Sequence, residues 1–439
     1  MRSFVSELVL CSCAVLLPAT MRAQQPPIPY VDSVTGTPVE KLVDLALSRN
    51  ADLMAARQRT AEAQGLLLQS ELRPNPTLEA SVANGAVLKS PGEREYTLGY
   101  SHTFELGGKR ERRVAVGRLG VDLVQLLIAD RERQLKADVK TRFGEALAAV
   151  RNLESARRTL DLNQQSLRIA AARTKQGESA SLEQALIQVE VNRMRADCLL
   201  FANQVERTLL ELKTLTGMRP DEQLQLSGNL AGPANGAQLA DVLTRALASR
   251  PDLQAARLEE NMGEAEVQLA KTEVVPNLVA TGRYSRSSSR FDQFGLIGAN
   301  GPLAPLRDTD NVLAAGVSIT LPVRNRNQGN IQAAVARQQA ARLRVRALEQ
   351  SVCGEVEAAH SRYETARQAL TLFNDGVVKQ SEDNVRVLMS AYNQGELPLL
   401  NVINEQRRLV DTQKAYSELL RESYLAAVDL ERAVGTPLF

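Results

Sequence analysis

The sequence predicts a mainly α protein with a small complement of membrane-type β-strands, built by internal tandem duplication. Three observations carry that prediction. Gln176-Gly177-Glu178 and Gln394-Gly395-Glu396 each interrupt a long, proline-free, helix-forming run, and they lie 218 residues apart. At that offset Arg168 falls on Arg386, Leu182 on Leu400, Leu212 on Leu430 and Gly217 on Gly435, with no gap across about 50 residues. Ahead of each long run, the hydrophobic period switches from helical to two.

Composition agrees with two copies of one helical unit. Hydrophobic residues make up 44% while aromatics are 4% and Trp is absent, so the apolar content is mostly Ala, Leu and Val, suited to close-packed helices. The 53 Lys and Arg nearly balance the 51 Asp and Glu, and the charges are interspersed, which leaves no broad field for nucleic acid. The sequence therefore predicts no nucleic-acid partner.

Residues 1–23 read as an export signal. Arg2 supplies the positive charge, residues 8–17 are mostly apolar, and Ala19 or Ala23 offers a small residue for cleavage; Glu7 interrupts the pattern, and a cytosolic leader is the alternative. Leu10-Cys11-Ser12-Cys13 loosely resembles a lipoprotein cleavage box, but apolar residues continue past Cys13. Cys198 and Cys353 stand in helical runs away from other ligand-type residues and read as buried thiols. No later stretch is long enough for a membrane-spanning helix, so membrane insertion must use strands.

The first repeat, residues 24–238, opens with a proline-rich extended leader (24–38), a short amphipathic helix (39–48) and a longer helix (51–72). The second, residues 239–439, repeats them over 239–275. Ala46-Leu47, Asp52-Leu53 and Ala55-Ala56-Arg57 recur as Ala246-Leu247, Asp252-Leu253 and Ala255-Ala256-Arg257, and both helices stop at a Pro-Asn pair, Pro74-Asn75 and Pro276-Asn277. A strand pair follows in each, at about 76–106 and 277–322. Tyr96, Leu98, Tyr100, Phe104 and Leu106 alternate with Thr97, Gly99, Ser101, Thr103 and Glu105; Leu313, Ala315, Val317, Ile319 and Leu321 alternate with Ala314, Gly316, Ser318 and Thr320. The weaker partners are residues 77–84 and 277–285, and strands of about nine to eleven residues suit a tilted membrane crossing. The same pattern also fits half-buried strands on a helical layer in a soluble protein.

Long helical hairpins then occupy about 109–216 and 328–434, the first followed by a small mixed segment at 217–238. The outgoing helices, 109–175 and 328–392, would each be roughly 100 Å long at 1.5 Å per residue. In the second, Val345, Leu348, Val352, Val356, Ala359, Tyr363, Ala366, Leu370, Phe373 and Val377 form a near-heptad stripe, which predicts coiled-coil packing.

Export signal, duplication, strand pairs between long helices and a glycine-centred turn at each tip together resemble the TolC family of outer-membrane efflux channels. Phe104-Glu105-Leu106-Gly107-Gly108-Lys109-Arg110 resembles in particular the branch serving cobalt-zinc-cadmium efflux pumps. The resemblance implies a homotrimer in the cell outer membrane. Four strands from each subunit would close a twelve-stranded β-barrel, and the hairpins would form a periplasmic α-barrel. Tyr96, Leu98, Tyr100, Phe104, Leu313, Val317 and Ile319 would face lipid. It further implies a periplasmic adaptor protein and an inner-membrane pump of the resistance-nodulation-division type, and passive conduction of metal cations or small toxic compounds.

The resemblance also places the adaptor-docking tips and the pore constriction at the turns. The tips would comprise Gly177, Glu178, Leu182, Gly395, Glu396, Leu397 and Leu400, although the glycines also suit a tight turn and the leucines a core. Family members carry two acids six and nine residues after the second turn glycine, where this chain has Asn401 and Asn404; the first repeat has Glu183 and Leu186 there. Glu183, Asn401 and Asn404 are thus the expected constriction residues, with a solvated helix-start glutamate the alternative for Glu183. His102 and His360 have no triad or ligand-type residues near them in sequence, and the glycines lack a phosphate-binding fingerprint. The sequence predicts no enzyme, no cofactor and no resident metal. Lys109-Arg110-Glu111-Arg112-Arg113 reads as a charged junction behind the strand pair. A secretion duct for polypeptides and a pore-less periplasmic coiled-coil protein are the rival readings.

Overall fold

A computed structural model describes residues 30–32, 35–85, 93–176, 181–230, 238–299, 301–374, 376–394 and 396–437. The export signal, Gly177, Glu178 and Gly395 lie outside the described residues. The first repeat runs α1 (Val39–Arg49), α2 (Ala51–Glu71), β1 (Thr77–Asn84), β2 (Arg94–Phe104), α3 (Lys109–Lys175) and α4 (Ser181–Thr216). The second runs α5 (Leu239–Ser249), α6 (Pro251–Thr272), β3 (Leu278–Leu296), β4 (Leu303–Ile319), α7 (Gln328–Asn374), α8 (Val377–Asn393) and α9 (Leu399–Val434). Among the described residues no helix is long and apolar enough to cross a membrane.

The duplication persists at the level of single hydrogen bonds. Arg57 donates to the Leu47 carbonyl (2.9 Å) and to Glu132 (2.7 Å); Arg257 donates to the Leu247 carbonyl (3.2 Å) and to Glu349 (2.8 Å). In each copy one arginine thereby satisfies a helix-end carbonyl and ties the short helices to the long one. Asn50 caps α2 by accepting from the Leu53 amide and donates to Leu215 O (3.0 Å). Its counterpart Arg250 donates to Ala433 O (3.1 Å), 218 residues beyond Leu215.

Arg250 does more than its counterpart. It is 4% exposed and donates to both carboxylate oxygens of Asp252 (3.0 and 2.6 Å) and to Glu355 (2.7 Å), joining the α5–α6 elbow to α7 and the end of α9. Burial pushes the Asp252 carboxyl up, yet the hydrogen bonds and charge of Arg250 hold it below its ordinary value. Arg250→Met is expected to cost about 3 kcal/mol, the low end for breaking a buried pair, because Glu355 retains water. Since the folded pKa of Asp252 is depressed, its contribution is complete above the unfolded carboxylate range near pH ~4 and is lost as pH falls through the folded value. Denaturation midpoints as a function of pH should therefore show a shallower acid limb in the variant.

Helix α3 runs unbroken, but its counterpart does not. The sequence predicts one helix over 328–392; the structure ends α7 at Asn374 and restarts α8 at Val377, with Gly376 at φ 125°. That backbone is open to glycine and strained for side chains. Val345, Val352, Val356, Tyr363 and Ala366 are buried as the stripe predicts, whereas Val377, beyond the break, is exposed. Cys198 and Cys353, expected to be buried, are half-buried on the surfaces of α4 and α7.

The leader and the segment around Leu226 meet in the predicted small layer, with bridges Val31–Leu226 and Thr37–Leu226. They cover the largest core, where Leu42, Leu53, Val139, Leu153, Val205, Leu212 and Leu226 are almost wholly buried. A second core joins Val242 of α5, Val352, Val356 and Tyr363 of α7, and Ala426 and Leu430 of α9.

Candidate functional site: the sheet, its junction and the hairpin tips

The four strands form one antiparallel sheet in the order β1-β2-β3-β4, so β2 pairs with β3 across the two repeats and the outer edges of β1 and β4 have no partner among the described residues. The second pair is longer than expected, 19 and 17 residues against 8 and 11, because 286–296 continues β3 through a register shift between Arg290 and Phe294. The serine-rich stretch that reads as loop is strand, polar at every position from Ser285 to Arg290.

Strand register sorts the side chains into two faces. Rows Phe104–Leu278–Ile319, His102–Ala280–Val317, Leu78–Tyr100–Gly282–Ala315 and Ala80–Leu98–Tyr284–Leu313 stand on one face. Val82 and Tyr96 continue it. The other face carries Thr77–Ser101–Thr281–Gly316, Glu79–Gly99–Arg283–Ala314 and Ser81–Thr97–Ser285–Val312. Tyr96, Leu98, Tyr100, Phe104, Leu313, Val317 and Ile319 are all exposed in the protomer, with Leu313 at 83%. They form an apolar surface that no helix covers among the described residues.

Sheet and helices meet where the sequence motif lies. Lys109, first residue of α3 and 5% exposed, donates to Asn277 Oδ1 (2.8 Å), the asparagine of the second Pro-Asn stop. Arg113 forks onto both oxygens of Glu105 (2.7 and 3.1 Å) and holds that carboxyl below its ordinary pKa. Gly107 turns the chain at φ 77°, and a Cβ there would sit 2.9 Å from the Val275 side chain. The Gly-Gly-Lys-Arg run thus clamps one repeat's strand exit to the other repeat's strand entry.

At the far end, the two hairpins pack side by side. Ala170 of α3, Ile187 and Val191 of α4, Tyr392 of α8, and Val402 and Ile403 of α9 form a small core there. Arg173 stacks over the Tyr392 ring (5.0 Å) and donates to its carbonyl (3.4 Å). Arg407 of α9 donates to Glu190 of α4, whose side chain is 12% exposed. These cross-hairpin links are absent from any local sequence pattern, since Glu190 and Arg407 lie 217 residues apart.

The structure brings those expected constriction and docking residues that it describes to this same end. Leu182 and Leu400 are exposed, Leu397 is half-buried and Glu396 is exposed. Asn401 and Asn404 lie exposed on one face of α9, one turn apart, opposite the buried Val402 and Ile403. Glu183 is half-buried at the start of α4.

Comparison with known proteins adds to this geometry. A family profile described as outer membrane efflux protein matches residues 42–218 and again 242–436, one match per repeat. The cobalt-zinc-cadmium resistance protein CzcC of Cupriavidus metallidurans is 23% identical over 401 residues, spanning 90% of each chain. The pyoverdine export outer membrane protein OpmQ of Pseudomonas putida is 26% identical over 421 residues, 90% of this chain and 85% of that one. Among solved structures, the open state of the Neisseria gonorrhoeae MtrE outer membrane channel has the same fold, with a TM-score of 0.73 at 20% identity over 91% of this chain and 89% of that one.

Proposed function

The chain belongs to the outer membrane efflux protein family, and from that premise we propose that it is the exit duct of a tripartite efflux system, assembled as a homotrimer. One observation carries the trimer: a sheet with an uncovered apolar face and two bare edges, β1 and β4. Unpaired strand edges are not tolerated in hydrocarbon, so β1 of one copy would pair with β4 of the next. Three copies close a twelve-stranded barrel wide enough for a water-filled lumen. Thr97, Ser101, Thr281 and Ser285, on the polar face, would line it. Membrane fractionation with a heat-sensitive trimer on gels tests this; a soluble monomer or dimer would overturn it in favour of a pore-less periplasmic protein.

The protein supplies a conduit and no chemistry; transport work would be done by an inner-membrane pump of the resistance-nodulation-division type, reached through a periplasmic adaptor. Leu182, Glu396, Leu397 and Leu400 would meet that adaptor, together with the turns that carry Gly177, Glu178 and Gly395. Similarity to a cobalt-zinc-cadmium resistance protein supports divalent metal cations as substrates, and similarity to a pyoverdine exporter supports small organic molecules as the second reading. Metal-sensitivity profiles of a deletion strain separate the two.

Glu183, Asn401 and Asn404 would ring the periplasmic constriction. One carboxylate per subunit gives a weaker cation filter than an acid pair. Glu183→Gln is expected to lower cation preference in planar-bilayer recordings by roughly two- to five-fold, since removing three clustered charges shifts the local potential by about 1 kcal/mol. Unchanged selectivity would remove Glu183 from the filter.

A further inference from the structure

We propose that Arg94, Arg286, Arg290 and Arg307 form a belt that binds the phosphates of an anionic glycolipid in the outer leaflet, just beyond the apolar band. The inference rests on the outer-membrane barrel reading above. The four strands contain five cationic residues, all arginine: these four and Arg283. Register puts the four on the apolar face, in rows Val82–Tyr96–Arg286–Asn311, Asn84–Arg94–Ser288–Thr309 and Arg290–Arg307, and all four are exposed. Arg283 alone stands on the polar face.

Outside the register shift between Arg290 and Phe294, the acids are distributed the opposite way: Glu79, Glu95, Asp308 and Asp310 fall on the polar face by register. A charge-balanced surface would mix the signs; in the registered rows this sheet turns four of its five arginines towards lipid and its acids towards the lumen. Arg290 and Arg307 are direct cross-strand neighbours, an arrangement that is destabilising unless an anion sits between them. Arginine's planar fork suits phosphate better than lysine's point charge.

Height agrees as well. From Phe104 to Tyr96 the apolar band runs ~27 Å along the strand, or about 20 Å along a barrel axis after tilting, close to the apolar height of outer-membrane barrels. The arginines begin at the level of Tyr96, on the side away from the helices, and extend about 10 Å further along the axis, the scale of a headgroup layer. The outer leaflet of such a membrane is crowded with phosphorylated glycolipid, and a cationic belt on the barrel wall offsets the repulsion between neighbouring phosphates.

The test uses the purified full-length trimer, stripped of lipid in detergent and offered diphosphorylated lipid A or the same lipid with its phosphates removed, with retained lipid counted by native mass spectrometry. Wild type should retain the phosphorylated form about ten-fold better, with a preference that falls as salt rises, and joint replacement of the four arginines by Gln should erase it. Joint replacement by Lys should keep part of it. Equal retention of the two lipids by wild type, or an undiminished preference in the Gln variant, would overturn the proposal. If the fourfold Gln variant does not assemble, the wild-type comparison and the Arg290→Gln/Arg307→Gln pair decide. Absence of an outer-membrane trimer in wild type would instead count against the duct itself.

Discussion

Leu98→Arg is expected to abolish the assembled channel. Leu98 lies between Ala80 and Tyr284 in a fully apolar row, inside the band that runs from Phe104 to Tyr96. An arginine costs about 2–4 kcal/mol at the midplane of a barrel wall and ~0–1 kcal/mol at its rims, so about 1–2 kcal/mol at Leu98, one row inside the outer rim; a trimer suffers it three times and loses roughly 3–6 kcal/mol. That is a large part of the stability of an ordinary domain. The heat-resistant trimer band and the outer-membrane fraction should both disappear. Thr97→Arg, one residue away but on the polar face, should leave the trimer intact and change its conductance. A normal trimer from Leu98→Arg would refute the assignment of faces.

Arg407→Ala is expected to open the periplasmic end. Arg407 crosses from α9 to Glu190 on α4 and is one of the few polar ties between the two hairpins near their tips. Its removal leaves the largely buried Glu190 carboxylate with the more distant Arg193 (4.0 Å) in place of its direct partner. The full cost of breaking a buried pair is about 3–5 kcal/mol; with Arg407 itself half-exposed, ~1–2 kcal/mol is the appropriate share. Each ~1.4 kcal/mol changes an equilibrium ten-fold, so the open population should rise by roughly that factor. Single-channel recordings should show more time at high conductance, and cells should become more sensitive to large antibiotics. Gly376 is the natural hinge for the movement, because α8 can swing about the break while α3, with no such break, stays a rod. Unaltered recordings from Arg407→Ala would exclude this contact as a latch.

Much of this architecture is legible in the chain because the signals are local. The Pro-Asn pairs stop α2 and α6. Paired motifs such as Ala55-Ala56-Arg57 and Ala255-Ala256-Arg257 make the same contacts in both copies, so a repeat in sequence becomes a repeat in bonding. The length of β3 was hidden for a specific reason. Ser287, Ser288 and Ser289 have the composition of a loop, and only the registers with β2 and β4 show them as strand. The break at Gly376 was masked by a hydrophobic stripe that continues to Val377 in sequence although the helix does not. Contacts such as Glu190 with Arg407, and the buried cluster around Arg250, depend on how separate helices are packed together, which no local period encodes.

The bare edges of β1 and β4 also bear on kinetics. A single protomer has no way to finish its own wall, so insertion of one copy alone would expose two ladders of unpaired amides and carbonyls to lipid. On the proposed trimer, three chains would therefore have to find one another before or during entry. The rate of channel formation then rises steeply with the concentration of exported chains, as subunit assembly does in general. Below some level of expression, newly exported copies wait in the periplasm with two sticky edges, vulnerable to off-pathway pairing. Doubling the supply should shorten that wait by more than half.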